Sequence, residues 1–335
     1  MSKKVGLVGY GIAGRIMHAP LLTRAGFELI AIVTNDDQRR AQAREDFPQA
    51  TLCTTIDELL KHPLDLVVIA SRNNAHTEHV RSALMANIAT VVDKPVAPTY
   101  QEVRDLFALS KERGVPLTVF YNRLWDSDYL AIKEHASLIA PIFRFESRYE
   151  RWRPDLAAQS WREQSSEAEG GGVLIDLHSH LVASALALFG PAELAHARVQ
   201  SLRGGSNDDA LLILEHTKGV TSVLSASAIS GAPGPRLRVE GRHGALIIEN
   251  VDDQEIYLRA GRYEAHASPV FLHRGEIVKE LSGSAGRWPD FYHQISEFLD
   301  GRAELPISAD FALAVARILE DAKSFIQESE VKVNG

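Results

Sequence analysis

The chain has 335 residues, a single cysteine (Cys53), and 36 basic against 44 acidic side chains, for a formal charge of −8. That length fits two domains, one cysteine excludes an internal disulfide and fits a reducing compartment, and the acidic balance argues against nucleic acid or an acidic membrane as partner. No uncharged apolar run reaches the ~18 residues of a membrane span, and "MSKKVGLVGYG" carries no signal-peptide core, so a cytoplasmic globular protein is expected.

The first third alternates apolar runs with amphipathic stretches. "KVGLVG" (4–9), "LIAIV" (29–33), "DLVVIA" (65–70), "TVVDKP" (90–95) and "PLTVFY" (116–121) predict buried strands. Helices are expected at 12–25, 36–47, 76–87 and 99–113, the last closed by Gly114 and Pro116. Strand–helix alternation at this spacing predicts a doubly wound parallel sheet over 1–122.

The first strand ends in "GYGIAG", which sets Gly9, Gly11 and Gly14 in the G-x-G-x-x-G spacing around Ile12 and Ala13. The first glycine permits a tight turn, the second lets backbone approach a pyrophosphate, and the third lets helix and strand pack closely. Three glycines alone define only a tight turn, but this turn follows a strand, opens a helix and heads a βαβ series, the context a dinucleotide site requires. At the end of the second strand, "IVTNDDQRR" offers Thr34 and Asn35, with Asp36 and Asp37 late and Arg39 and Arg40 following. Small polar groups with guanidinium nearby favour a 2′-phosphate, so NADP(H) is expected over NAD(H); a solvated first helical turn is the plainer alternative. Lys94 closes the fourth of these strands beside Asp93. Ligands of open α/β sheets lie beyond the carboxyl ends of strands, where a lysine can stabilise an alkoxide, or else merely cap the strand.

Beyond Asn122 the rhythm changes. A helix at 126–137 precedes "IFRFESRYE" (142–150), then "ARVQSL" (197–202), "ALLILEH" (210–216), "VTSVLSASA" (220–228), "RLRVEG" (236–241) and "ALIIEN" (245–250), and a helix at 310–328 ends the pattern. Short turns between these runs predict a second α/β domain, 123–335, with an open, mostly antiparallel sheet. Within it, "GGGVLIDLHSHLV" (170–182) has the D-x-H-x-H look of a metal site. Apolar positions at 173, 177, 181, 184/185 and 188, stopped by Gly190-Pro191, follow a helix instead. On a helix Asp176 and His180 stack one turn apart while His178 points away, whereas two histidines on one face need a strand. No metal is expected. A histidine oriented by a carboxylate suits proton transfer at a secondary alcohol; a buried histidine satisfied by Asp176 is the bland alternative.

"GLVGYGIAGRIMHAPLL", "DKP", "YNRLWDSDYLAIK", "RYERWRPDLAAQSWRE", "GGGVLIDLHSHL" and "GRWPDFYHQISEFLDG" together resemble the glucose–fructose oxidoreductase/inositol dehydrogenase/rhizopine catabolism (Gfo/Idh/MocA) family over nearly the whole chain, nearest its NADP-dependent scyllo-inositol dehydrogenase-like branch. The resemblance implies a Rossmann domain and a second domain whose sheet forms a homodimer or homotetramer. It implies Lys94 as catalytic lysine, His180 as acid/base and Asp176 as its partner. It puts Asn73, His76 and Asn122 on the nicotinamide side, counts Ser71 and Asp93 among the cofactor contacts, and sets Arg153, Trp161 and Arg162 along the substrate or cofactor cleft. Arg72, Ala183 and His178 depart from the usual pattern, so the resemblance does not carry inositol over as the substrate. The expected activity is NAD(P)-dependent oxidation of a sugar, inositol or related polyol. A cofactor-binding regulator without turnover, or a cofactor-using glycosidase, would use the same fold.

Overall fold

The computed structural model describes residues 2–156 and 171–327. The chain forms two units: Met1–Asn122 with Glu255–Tyr263 and Trp288–Leu313, and Arg123–Gln254 with Glu264–Arg287 and Ala314–Gly335. The division after Asn122 coincides with the change of rhythm in the sequence, but the first unit also recruits two later segments.

In the first unit, β1 (Lys4–Val8), β2 (Glu28–Val33), β3 (Thr51–Cys53), β4 (Leu66–Ile69), β5 (Ala89–Asp93) and β6 (Leu117–Phe120) form one sheet in the order β3-β2-β1-β4-β5-β6, with every pairing parallel. Both faces are covered, which is why β4 and β6 are buried at every position and read as unbroken apolar runs. β3 escapes sequence reading because three residues carry no period. Helix ends follow local chemistry. Thr99 and Glu102 form a reciprocal capping box for Tyr100–Arg113, and Gly114 ends it at φ +64°. The recruited helix Pro289–Leu299 is held by an aromatic cluster, in which Phe120 meets Phe291 edge-on at 4.9 Å and stacks on Tyr292 at 5.7 Å. Thr118 Oγ1 donates to the Ile307 carbonyl at 2.8 Å, tying the segment after that helix to β6.

The second unit is built on a nine-stranded sheet. Its strands are β7 (Ile142–Glu150), β8 (Ala192–Gln200), β9 (Asp209–His216), β10 (Thr221–Ser227), β11 (Leu237–Gly241), β12 (Gly244–Ile248), β13 (Val270–Arg274), β14 (Ile277–Leu281) and β15 (Ile326–Gln327). The order is β14-β13-β12-β11-β7-β10-β9-β8-β15, antiparallel except at β7/β10 and β8/β15. Along β9 and β10 burial alternates. Ala210, Leu212, Leu214 and Leu224 lie on the buried face, and Phe145 of β7 meets Phe189 of the helix His178–Phe189 at 5.2 Å. Among the described residues no helix is long and apolar enough to cross a membrane.

Candidate active site

In the first unit, the turn after β1 uses its three glycines differently. Gly9 has φ +100°, its amide donates to the Val33 carbonyl at 3.0 Å, and a Cβ there would lie 2.5 Å from the Ala70 carbonyl oxygen. A Cβ on Gly14 would sit 2.0 Å from the Gly9 oxygen. Gly11 instead faces open space, with only the Arg39 guanidinium within 4 Å of the Cβ position. Ile12 and Ala13 open a wide π-type turn, Ala13–His18, that runs into the helix Ala19–Arg24. No side chain caps its start and its first turn holds no acid, which leaves the amide donors of a helix N-terminus for an anion. Tyr10 is buried between the glycines and donates to Asp46 at 2.8 Å, while Arg15 grips the same carboxylate at 2.6 Å. Burial works against the Asp46 anion, but the hydrogen bonds from Arg15 and Tyr10 outweigh it and hold the carboxyl below its usual range.

Beyond β2, Thr34 is buried and Asn35 exposed. Asp36 caps the helix Asp37–Asp46, accepting from the Arg39 amide at 2.9 Å. The two arginines, read alike in the sequence, part company. Arg40 donates to the Thr34 and Cys53 carbonyls at 3.0 and 3.3 Å, whereas Arg39 stands over the Gly11 turn. Arg40 therefore ties the ends of β2 and β3 together through one guanidinium nitrogen.

Along the crevice edge, Ser71 Oγ pairs with His79 Nδ1 at 2.9 Å, Arg72 is exposed, Asn73 is buried in a short 3-10 turn, and Asn122 is buried just after β6. His76 is enclosed against backbone carbonyls. It is 1% exposed, with Nδ1 2.7 Å from the Pro95 carbonyl and Nε2 3.1 Å from the Ser71 carbonyl. Burial lowers the His76 pKa and leaves the ring neutral, so its one N–H serves a single carbonyl, and the shorter contact, to Pro95, ties His76 to the Lys94 loop. Lys94 and Asp93 end β5, both half-buried, and Asp93 Oδ1 accepts the Lys94 amide at 2.8 Å.

In the second unit, Gly172 has φ +88° and its missing side chain makes room for Asn207. Asn207 Oδ1 accepts from the Leu174 amide at 2.8 Å and its carbonyl from the Val173 amide at 2.9 Å, clasping the start of the helix Val173–Asp176. The helix expected to run unbroken through this stretch is interrupted at Leu177. Ser179 Oγ donates to the Asp176 carbonyl at 3.1 Å, and the His180 amide turns to Leu177 at 3.1 Å. Asp176, half-buried, thus ends one short helix, and His180, 7% exposed, lies in the first turn of the next. His178 is fully enclosed with Nε2 3.3 Å from the Leu224 carbonyl, so it faces the sheet.

Burial lowers the His178 pKa to about 4, more than its backbone partners restore. Unfolded, His178 titrates near 6.5, so between that pH and about 4 the unfolded chain binds a proton that the folded chain refuses, and stability falls as pH falls. Up to about 3 kcal/mol is lost across this window. Urea unfolding of His178→Leu at pH about 7 and about 4 is expected to show a correspondingly smaller acid loss than the native chain.

Tyr149 packs against His180 and is backed by Arg236 and Asp128, none of which sequence reading singled out as a site residue. Tyr149 meets the His180 ring at 6.5 Å, edge to face. Its hydroxyl accepts from Arg236 at 2.9 Å, and Arg236 is paired with fully buried Asp128 at 3.0 Å and bonds Ser147 at 2.6 Å. Burial pushes the Tyr149 hydroxyl up to about 12 despite the guanidinium groups of Arg236 and Arg123, so it acts as a neutral phenol. Arg153 lies exposed on the loop after β7. Trp161 and Arg162 lie outside the described residues.

A parallel six-stranded sheet with an open glycine turn and an uncapped helix start defines a dinucleotide-binding Rossmann protein, here joined to a unit that encloses a histidine. Residues 3–121 match the oxidoreductase family with an NAD-binding Rossmann fold, and residues 136–247 match the GFO/IDH/MocA C-terminal domain. The chain belongs to the Gfo/Idh/MocA oxidoreductases. It is similar to scyllo-inositol 2-dehydrogenase (NADP(+)) IolW of Bacillus subtilis (strain 168), 31% identical with 97% of this chain and 94% of that one covered. D-apiose dehydrogenase of Paraburkholderia graminis is 29% identical over 73% of this chain and 67% of its own. The solved structure of yvaA from Bacillus subtilis, 31% identical, superposes with a TM-score of 0.87 over 97% of this chain and 96% of that one.

Proposed function

We propose that this oxidoreductase interconverts a secondary alcohol and a ketone on a polyol or sugar, with NADP(H) preferred over NAD(H). The observation that carries the cofactor choice is Arg39 standing over the open Gly11 turn while Asp36 is engaged as a helix cap. A guanidinium there offers charge-assisted bonds to a 2′-phosphate, and the carboxylate that would hold a free ribose hydroxyl is turned to backbone. Gly9, Gly11, Ile12, Ala13 and Gly14 form the pyrophosphate cradle, with Thr34 and Asn35 at the ribose and Ser71, Asn73 and Asn122 on the nicotinamide side. Arg39→Ala is expected to weaken NADP(H) about tenfold or more and leave NAD(H) unchanged, read by titration of intrinsic fluorescence.

The chemistry that a bound nicotinamide supplies is acceptance of the hydride from the carbinol carbon. Lys94, as ammonium, hydrogen-bonds the substrate oxygen and stabilises the charge that gathers there as the proton leaves. His180 receives that proton and Asp176 orients its ring; Arg153 contributes to holding the polyol. The apolar positions Leu211, Ile213 and Val223, half-buried on the face of the sheet away from the helix, fit assembly of two or four copies through this sheet. Incubation of the protein with NADP⁺ and a panel of polyols and aldoses, with scyllo-inositol and apiose included because two relatives carry those names, tests the activity. Reduction of NADP⁺ by at least one member is expected, and failure of every member in the presence of bound cofactor would turn the assignment toward a regulator.

A further inference from the structure

A chain of buried side chains runs beneath Lys94, entirely within the first unit. His18, at the end of the wide turn after the glycines, is 0% exposed and packs on Phe120 at 4.5 Å. Its Nδ1 lies 2.5 Å from the Tyr292 hydroxyl, and its Nε2 lies 3.7 Å from Asp93 Oδ2. The other oxygen of Asp93 accepts the Lys94 amide at 2.8 Å. The Nε2–Oδ2 separation is longer than a hydrogen bond, and Nε2 has no nearer partner among the described residues. The polar end of this ring is therefore directed at the carboxylate.

Electrostatics fixes the protons. Were Nδ1 to carry the hydrogen of a neutral ring, the bare lone pair of Nε2 would face a carboxylate. With Tyr292 donating to Nδ1, the Nε2–H faces Asp93 and the whole chain is attractive. Burial pushes the Tyr292 hydroxyl well above its usual range, with the Asp93 charge adding to it, so it remains a donor. Burial alone would raise Asp93, but His18, Lys94 and His76 outweigh it and keep the carboxylate ionised. An imidazole and a phenol inside an aromatic cluster are costly unless satisfied, and apolar side chains would fill the same space.

We propose that His18, set by Tyr292, is a positioning residue that steers the Asp93 carboxylate and thereby holds Lys94 for the substrate oxygen. The proposal rests on the catalytic assignment of Lys94 made above. It assigns the His18–Tyr292 pair a function in the reaction that packing alone does not require.

The test uses the full chain with NADP⁺ and scyllo-inositol, or the best-turned-over polyol of the panel. His18→Leu and Tyr292→Phe are each expected to lower kcat about tenfold, as loss of an outer-shell partner does, without changing KM for NADP⁺. His18→Gln, whose side-chain N–H can take the place of Nε2–H, is expected to recover most of the loss. The double variant His18→Leu/Tyr292→Phe is expected to be no slower than His18→Leu, because the two groups act in series. A packing role would lower thermal stability in all variants and leave kcat unchanged, with no rescue by glutamine, and would overturn the proposal. Nitrogen-15 spectra of the resting protein provide a readout free of turnover: Nε2-protonated His18 is expected, and the Nδ1-protonated tautomer would overturn it. If Lys94→Met retains turnover, the assignment of Lys94 itself fails. If Lys94→Met is inactive while His18→Leu is fully active, only the role of His18 fails.

Discussion

Exchanging Lys94 for methionine is expected to lower turnover about a thousandfold while leaving NADP(H) binding intact. Methionine keeps the length and apolar stem of the side chain but cannot donate to an oxygen. What is lost is stabilisation present only as negative charge develops, and such a loss appears in kcat rather than in KM. Lys94 is only half-buried and methionine matches its length, so β5 and its loop are expected to remain folded, with His76 tied to the Pro95 carbonyl. Lys94→Arg restores the charge as a planar fork in place of a compact ammonium, and an activity between those of methionine and lysine is expected. Steady-state rates, together with NADPH titration of each variant, separate a catalytic defect from a binding defect.

Gly14→Ala is expected to abolish cofactor binding and to destabilise the chain by about 3 kcal/mol or more. The added methyl would stand 2.0 Å from the Gly9 carbonyl oxygen, a backbone atom. Gly9 cannot give way, since its own Cβ position is closed by the Ala70 carbonyl and its amide is bonded to Val33. The turn must open, and the aim of the helix-start amides at the pyrophosphate goes with it. Gly11→Ala provides the contrast. A methyl there meets nothing closer than the Arg39 guanidinium at 3.8 Å, so folding is expected to be kept and NADP(H) affinity to fall by steric conflict with the ligand. At about 100 times its dissociation constant, NADP(H) stabilises a binding-competent chain by roughly 2.7 kcal/mol. Thermal unfolding with and without ligand is expected to show that gain in the native chain and none in Gly14→Ala.

The glycine turn and the parallel strands were legible because short-range spacing determines them: three glycines after a strand, and apolar runs buried on both faces. That Lys94 follows directly on the end of a parallel strand was legible for the same reason, whereas its part in catalysis is a proposal. What escaped depends on partners distant in the chain. Arg39 and Arg40 are equivalent in sequence, and only the carbonyls of Thr34 and Cys53 distinguish them. His76, which the resemblance put on the nicotinamide side, has its ring between two backbone carbonyls that no local pattern announces. The apolar stripe from Val173 to Leu188 predicted one helix, but it is interrupted at Leu177, where the Ser179 hydroxyl donates to the Asp176 carbonyl. Tyr149, which meets His180, and Arg236 and Asp128 behind it come from three separate parts of the chain. The stretch "YNRLWDSDYLAIK" contains one of them, with nothing in the sequence to indicate that Asp128 is the partner of an arginine more than a hundred positions away. Asn207 fills the space beside Gly172, a long-range contact that a glycine before a helix does not announce.

Transfer of the carbinol hydrogen is the most direct test of the central claim. A substrate polyol deuterated at the reacting carbon, incubated with the protein and NADP⁺, is predicted to yield deuterated NADPH and an equal amount of ketone, with neither formed by Lys94→Met. Cofactor that binds but never acquires deuterium, or substituent release from a glycoside with the cofactor returned to its starting state, would contradict the assignment of a polyol or sugar dehydrogenase.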